Sequence, residues 1–177
     1  MNFKEKLSQR IGMNDIHEIA YLTRGNNEKK KELYNLLFDQ EDKISYQAAW
    51  VMTHFSAKEN EFLYNKQNEL IDEALRCNHA GKRRLILAIL YKQPLANPPR
   101  VDFLDFCLKH MISKSEPSGV QSLCMKLAYE LCLPIPELGQ ELRIALEMME
   151  GGLSPAIQAT KKNIRKAMVK NKSLQTI

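Results

Sequence analysis

Hydrophobic positions along the chain recur every three or four residues. That spacing is typical of amphipathic helices, whereas the strict alternation of apolar and polar residues that marks strands is absent from the sequence. Only seven glycines and seven prolines interrupt the pattern, and they divide it into segments of helical length. The sequence therefore predicts an all-α protein.

Capping residues and breaks predict about nine or ten helices. Gly25 has the position of a helix-ending glycine, and Ser154 followed by Pro155 is a typical helix start. Ser45 is predicted to cap the helix that follows it. The predicted helices span about residues 3–11, 14–24, 27–39, 45–57, 61–76, 80–92, 100–113, 117–133, 137–149 and 154–170.

The predicted helices recur in pairs. Units open near Ser45, Ala80, Ser118 and Pro155, which lie about 35 to 39 residues apart. This period predicts a short α-solenoid, in which each helical pair stacks on the next. A plain multi-helix bundle is the alternative.

Two apolar stripes run along the helix that is predicted to start at Ser45. The first is Tyr46, Ala49, Trp50 and Thr53, and the second is Ala48, Val51, Met52 and Phe55. Together they cover more than half of the helix circumference, which a single neighbouring helix cannot bury. We therefore predict that Trp50 packs between adjacent helices of a stack.

Three segments resemble the HEAT-like repeat superfamily, which belongs to the armadillo-type helical repeats. Residues 46–55 resemble the first helix of a repeat, residues 80–90 resemble the next, and residues 127–138 resemble a helix, proline break and helix start. The resemblance covers about residues 44–170. It implies a short right-handed α-solenoid of HEAT-like pairs that acts as a binding scaffold, and it implies no reaction.

The predicted organisation is one helical-repeat domain over residues 1–177. Residues 1–43 are predicted to form N-terminal capping helices, residues 44–153 the repeat body, and residues 154–177 a basic C-terminal capping helix and tail. The last segment holds six of the 26 basic residues and none of the 21 acidic ones, so the first 153 residues are close to neutral.

Composition excludes several classes of protein. A hydrophobic share of 44% and a charged share of 27% are ordinary for a globular domain. The sequence has no uncharged apolar stretch of about 18 residues, and its start lacks the features of a secretory signal. We therefore expect a cytoplasmic protein that does not enter a membrane, with its four cysteines buried as small hydrophobes.

No candidate chemistry stands out in the sequence. Cys107 and His110, with Cys77 and His79, have a spacing that zinc ligands use, but Cys107 falls in a dense apolar stripe and no CxxC is present. The glycine patterns match neither a P-loop nor a dinucleotide fingerprint. We predict no catalytic residue, no metal site and no cofactor, and hence a protein that is not an enzyme.

Charge predicts where a partner binds. The second helices of the pairs, at 61–76, 100–113 and 137–150, carry net charges of −2, 0 and −3, while the first helices are basic. If the repeats stack in register, all second helices lie in one layer. That layer would form an acidic face that receives a basic or neutral segment of another protein or peptide. The predicted partner-binding residues are Glu69, Asp72, Glu73, Asp102, Asp105 and Glu141.

An alternative function is binding to the backbone of a nucleic acid. The last helix is predicted to dock through Ile157, Ile164 and Met168 and to present a cationic ridge to solvent. Such a ridge would neutralise phosphates, with strong dependence on salt. The predicted phosphate-binding residues are Lys162, Arg165, Lys166 and Lys170.

Overall fold

The structure, a computed structural model, describes residues 1–149 and 151–177, and this part of the chain contains helices and turns but no strand. The helices are α1 (Phe3–Ser8), α2 (Met13–Leu22), α3 (Asn27–Leu36), α4 (Asp42–Thr53), α5 (Ala57–Asn60), α6 (Gln67–Arg76), α7 (Ala80–Tyr91), α8 (Val101–Met111), α9 (Ser118–Cys132), α10 (Gly139–Met148) and α11 (Pro155–Lys170). Two 3₁₀ segments, Glu61–Lys66 and Pro136–Leu138, precede α6 and α10. Because α5, the first 3₁₀ segment and α6 follow without a break, the described residues form ten helices, as predicted.

The predicted cap is correct at the start of α11 but not at the start of α4. The Ser154 hydroxyl accepts a hydrogen bond from the backbone N–H of Ile157, which confirms the predicted start of α11. Helix α4 begins at Asp42, and Ser45 is buried inside it with its hydroxyl bonded to the Asp42 carbonyl. Asp42 and Lys43 add a polar first turn in front of the apolar stripes, so the prediction that Ser45 caps this helix was wrong.

The helices stack in two layers. Helices α2, α4, α7, α9 and α11 contact one another in that order and form the first layer, while α6, α8 and α10 form the second. Helix α3 packs beside α4 and reaches α5 and α6 through side-chain contacts of Lys30 and Tyr34. This arrangement is the solenoid that the paired helices predict.

Helix α9 lies at the centre of the stack. It packs against α7, α8, α10 and α11, and ten of its fifteen residues are buried. Because it is covered from several sides, its apolar residues follow no single stripe. The two layers are therefore joined into one hydrophobic core at α9.

The double apolar face of α4 behaves as two unequal surfaces. Ala48, Val51 and Met52 are fully buried in the core. Trp50 is half-buried, packs against the core, and has its ring 6.5 Å from that of Tyr46. Trp50 is therefore not on open surface, but its ring contact with Tyr46 lies within α4, so packing of Trp50 between adjacent helices stays a prediction.

All four cysteines are buried free thiols, which confirms that they act as small hydrophobes. Burial raises the pKa of Cys107 well above its ordinary value. Burial and the nearby Glu141 carboxylate raise the pKa of Cys132 to about 11. Both thiols are thus protonated at neutral pH, and neither has the thiolate character that a nucleophile or metal ligand needs.

Two buried ion pairs join different helices of the stack. Lys30 of α3 pairs with Glu59 of α5, and Lys82 of α7 lies 2.8 Å from the Glu73 carboxylate of α6. The side chains of Lys82 and Glu73 are only 9% and 8% exposed. Burial alone would raise the pKa of Glu73, but hydrogen bonds from Lys82 and Arg76 outweigh it and hold the pKa below its ordinary value.

We predict that stability is most sensitive to the core at α9. Leu127→Ala should lower the free energy of unfolding by about 3 kcal/mol, since a fully buried leucine leaves a cavity. Leu123→Ala, at a half-buried position of the same helix, is the matched control and should cost about 1 kcal/mol or less. Urea unfolding measures both values, and equal losses would contradict the burial of Leu127 in the core at α9.

We also predict that the Glu73–Lys82 pair behaves as a buried pair. Glu73→Leu should cost about 3 kcal/mol, because it leaves the Lys82 ammonium buried without its partner, and adding Lys82→Met should recover most of that loss. Because the pKa of Glu73 is lowered in the folded chain, its contribution is complete above the ordinary value of 4.5 and is lost as pH falls through the folded value. Urea unfolding between neutral and acidic pH measures this. A double variant no more stable than Glu73→Leu would contradict the prediction.

Candidate protein-interaction surface

Five of the six predicted partner-binding residues lie on what we term the second-layer surface, the exposed side of α6, α8 and α10. Helix α6 buries Leu70, Ile71 and Ala74, whereas Glu69 and Asp72 are exposed. The exposed members of the predicted set are Glu69, Asp72, Asp102, Asp105 and Glu141. Glu73 is the exception, because its carboxylate is buried against Lys82, and its assignment to the surface was wrong.

Arg100 connects two of these carboxylates across α6 and α8. Its guanidinium lies 2.8 Å from Asp72 and 2.7 Å from Asp102, and Nε donates a further hydrogen bond to Asp102. The hydrogen bonds from Arg100 lower the pKa of Asp102. Asp72 and Asp102 thus share one cation, and both side chains stay more than half exposed.

Glu69 is held by helix α3. The Tyr34 hydroxyl donates a short hydrogen bond to the Glu69 carboxylate. Burial, together with this carboxylate, raises the pKa of Tyr34, so the phenol remains a donor. The Lys66 ammonium lies 4.6 Å from the centre of the Tyr34 ring. Glu69 is therefore oriented by a neighbouring repeat, while remaining exposed.

The acidic charge of the second layer is concentrated on α10. Along residues 57–76, burial of Glu59 and Glu73 leaves three accessible acidic and three accessible basic side chains, namely Glu61, Glu69 and Asp72 with Lys58, Lys66 and Arg76. Over residues 100–111 the charges also balance. Around α10, Glu137, Glu141 and Glu147 outnumber Arg143. Glu150, which contributes to the predicted charge, lies outside the described residues.

Large apolar side chains are exposed on the same surface. Val101 at the start of α8 is 72% exposed, and Ile144 and Met148 on α10 are 49% and 62% exposed. Ile144 and Met148 are one turn apart, and Glu141 lies three residues before Ile144. The sequence pattern did not single them out, because Leu142, Ala145 and Leu146 already supply a buried stripe. The signal was this second apolar stripe, which has no described neighbour to cover it.

The four predicted phosphate-binding residues are all exposed on α11. The helix buries Ile157 and Ile164, and Met168 is half-buried against the core, as predicted. The four cations are Lys162, Arg165, Lys166 and Lys170. None of them forms an ion pair with a carboxylate of the described residues. They form a cationic ridge, of which Arg165 lines a surface cavity together with Arg143 and Glu147 of α10.

The residues first considered as zinc ligands have other partners. His110 Nδ1 lies 2.7 Å from Glu116, and its ring stacks on Phe106 at 3.9 Å. The Cys77 thiol donates to the His79 carbonyl. Across residues 1–149 and 151–177, no three histidine, cysteine, aspartate or glutamate side chains are grouped as metal ligands.

Within the described part of the chain, no helix has the length and apolar composition to cross a bilayer.

Comparisons with curated proteins and with solved structures found no match. A family model described as HEAT repeat domain matches residues 3–168. The match includes residues 3–43, where α2 and α3 continue the packing of the later pairs. Since the model spans most of the chain, the protein belongs to the HEAT repeat family.

Proposed function

We propose that this protein is a non-enzymatic scaffold that binds another protein or peptide through the second-layer surface. HEAT repeats are commonly protein-interaction scaffolds and use extended surfaces of stacked helices. The observation that carries the proposal is the exposure of Ile144 and Met148 within the acidic part of that surface. Neighbouring exposed apolar side chains with a polar rim are typical of a protein-binding site.

The chemistry of the second-layer surface indicates the kind of partner that it would bind. Burial of Ile144, Met148 and Val101 would supply binding free energy at about 25 cal/mol per Å² of apolar area. Glu141 and Asp105, which have no ion-pair partner among the described residues, favour a partner with lysine or arginine beside its apolar side chains. A basic amphipathic segment fits both requirements.

The hydrogen-bonded carboxylates add selectivity. Glu69 is bonded to Tyr34, and Asp72 and Asp102 are bonded to Arg100, so none of the three is freely mobile. Ordered groups lose little conformational entropy when a partner binds. They would therefore contribute to orientation and to exclusion of unsuitable partners more than to total affinity.

We predict that the double variant Ile144→Ser/Met148→Ser weakens binding of the native partner by about tenfold or more, because it removes the apolar contact. The partner is obtained by affinity capture from native cells, and its dissociation constant is measured by titration. Met13→Ser/Tyr21→Ser, at exposed apolar positions of α2, is the matched control and should bind normally. Undiminished affinity in the α10 variant, with normal helicity, would show that another surface binds.

A second candidate function is binding to a nucleic-acid backbone through the ridge of α11. Its support is the exposure of Lys162, Arg165, Lys166 and Lys170 without described acidic partners. Four neutralised phosphates predict about a hundredfold loss of affinity between about 50 and 200 mM salt. Lys166→Gln should lower the logarithmic salt slope by about 0.9. Fluorescence titration with single- and double-stranded oligonucleotides measures both effects, and no binding at 50 mM salt would eliminate this function.

A further inference from the structure

Residues 172–177 return along the first layer after α11. The chain reverses at Asn171, which has a left-handed backbone with φ of 50°. The following residues form no regular secondary structure and cross the C-terminal ends of α9 and α7. We call residues 172–177 the tail, and the surface that holds it the tail seat.

Glu130 of α9 is the centre of the tail seat. The residue is only 7% exposed, and its carboxylate accepts from the Ser173 hydroxyl at 2.8 Å, the Leu174 N–H at 2.6 Å and the Gln175 N–H at 3.3 Å. Every hydrogen bond that the structure gives this carboxylate comes from the tail. Without these donors, the buried carboxylate would have lost its hydration without gaining hydrogen bonds in exchange.

Three successive tail residues make different contacts with the seat. Ser173 contributes its hydroxyl, and Leu174 is half-buried against the hydrophobic core. The Gln175 side-chain amide donates to the carbonyls of Tyr91 and Gln93, at 2.7 and 2.8 Å. The Tyr129 hydroxyl also donates to the carbonyl of Lys172. The seat thus contacts a hydroxyl, an apolar side chain and a primary amide in sequence.

The parts of the seat belong to the rigid stack, whereas the tail is held by few apolar contacts. Tyr91 is the last residue of α7, Gln93 follows it by two residues, and Tyr129 and Glu130 lie in α9. A segment held mainly by hydrogen bonds at a surface opens at low free-energy cost compared with a core helix. Opening would leave a preorganised groove with a buried acceptor and two unpaired carbonyls.

We propose that the tail seat is a peptide-binding site for extended segments with the pattern Ser-Leu-Gln. The tail occupies it intramolecularly, and a segment of a partner protein with the same pattern takes its place when the tail detaches. Intramolecular occupancy acts as a high effective concentration that an external segment must overcome. This site is separate from the second-layer surface and does not depend on its function.

The test uses a fluorescent peptide with the sequence of residues 170–177 and three forms of the full chain. These are the wild type, the tail variant Leu174→Asp/Gln175→Ala, and the tail variant that also carries Glu130→Gln. We expect the tail variant to bind the peptide about tenfold or more tightly than the wild type, because its own tail no longer competes. Addition of Glu130→Gln should abolish that gain. Fluorescence polarisation measures binding, and circular dichroism checks folding.

Peptide variants test the seat without any further change in the protein. A peptide with Ser173→Ala should bind the tail variant several-fold more weakly, and a peptide with Leu174→Asp should not bind detectably. Equal affinity of wild type and tail variant, or no binding by a folded tail variant, would overturn the proposal. Insensitivity to both peptide changes would also overturn it, since the seat would not then read the tail sequence.

Discussion

Helix α9 has apolar residues on several sides, and each side has to be covered by another helix. The arrangement of the other helices depends on this constraint. The buried residues of α9 face α7, α8, α10 and α11, so no isolated pair of helices would satisfy it. The hydrophobic effect scales with the area removed from water, which favours the addition of neighbours until the central helix is enclosed. The two layers and the single core follow from this enclosure.

Polar contacts between helices determine which charged side chains remain available to a binding partner. Glu59 and Glu73 are bonded inside the stack by Lys30 and Lys82, and Arg100 partly neutralises two surface carboxylates. The acidic character that the sequence distributes over the second layer is therefore confined mainly to α10. Exposed Ile144 and Met148 coincide with that remaining charge, which is why we place partner binding there.

Features that depend on local sequence could be predicted. The serine and proline at the start of α11, and its apolar stripe, determine both the helix and the exposure of its cations. The helical pairs followed from spacing, proline breaks and the family resemblance. The prediction for the start of α4 was wrong because Asp42 and Lys43 extend the helix by a polar turn in front of its apolar stripes, and sequence signals are weakest at helix ends.

Contacts between distant residues could not be predicted from periodicity. Glu73 is buried because Lys82, on the next helix, reaches it, and Arg100 meets Asp72 only when α6 and α8 are side by side. Glu130 finds its donors 43 to 45 residues later in the chain. Each depends on the register of stacked helices, which a one-dimensional pattern does not contain.

The most direct test of the account is hydroxyl-radical footprinting of the protein alone and in complex with its native partner. Met148 on α10 and Met13 on α2 are both exposed and carry the same reactive thioether, so each serves as the reference for the other. The account predicts that the partner slows oxidation of Met148 and leaves that of Met13 unchanged. Unchanged oxidation of Met148 in the complex would contradict the claim that the second-layer surface binds the partner.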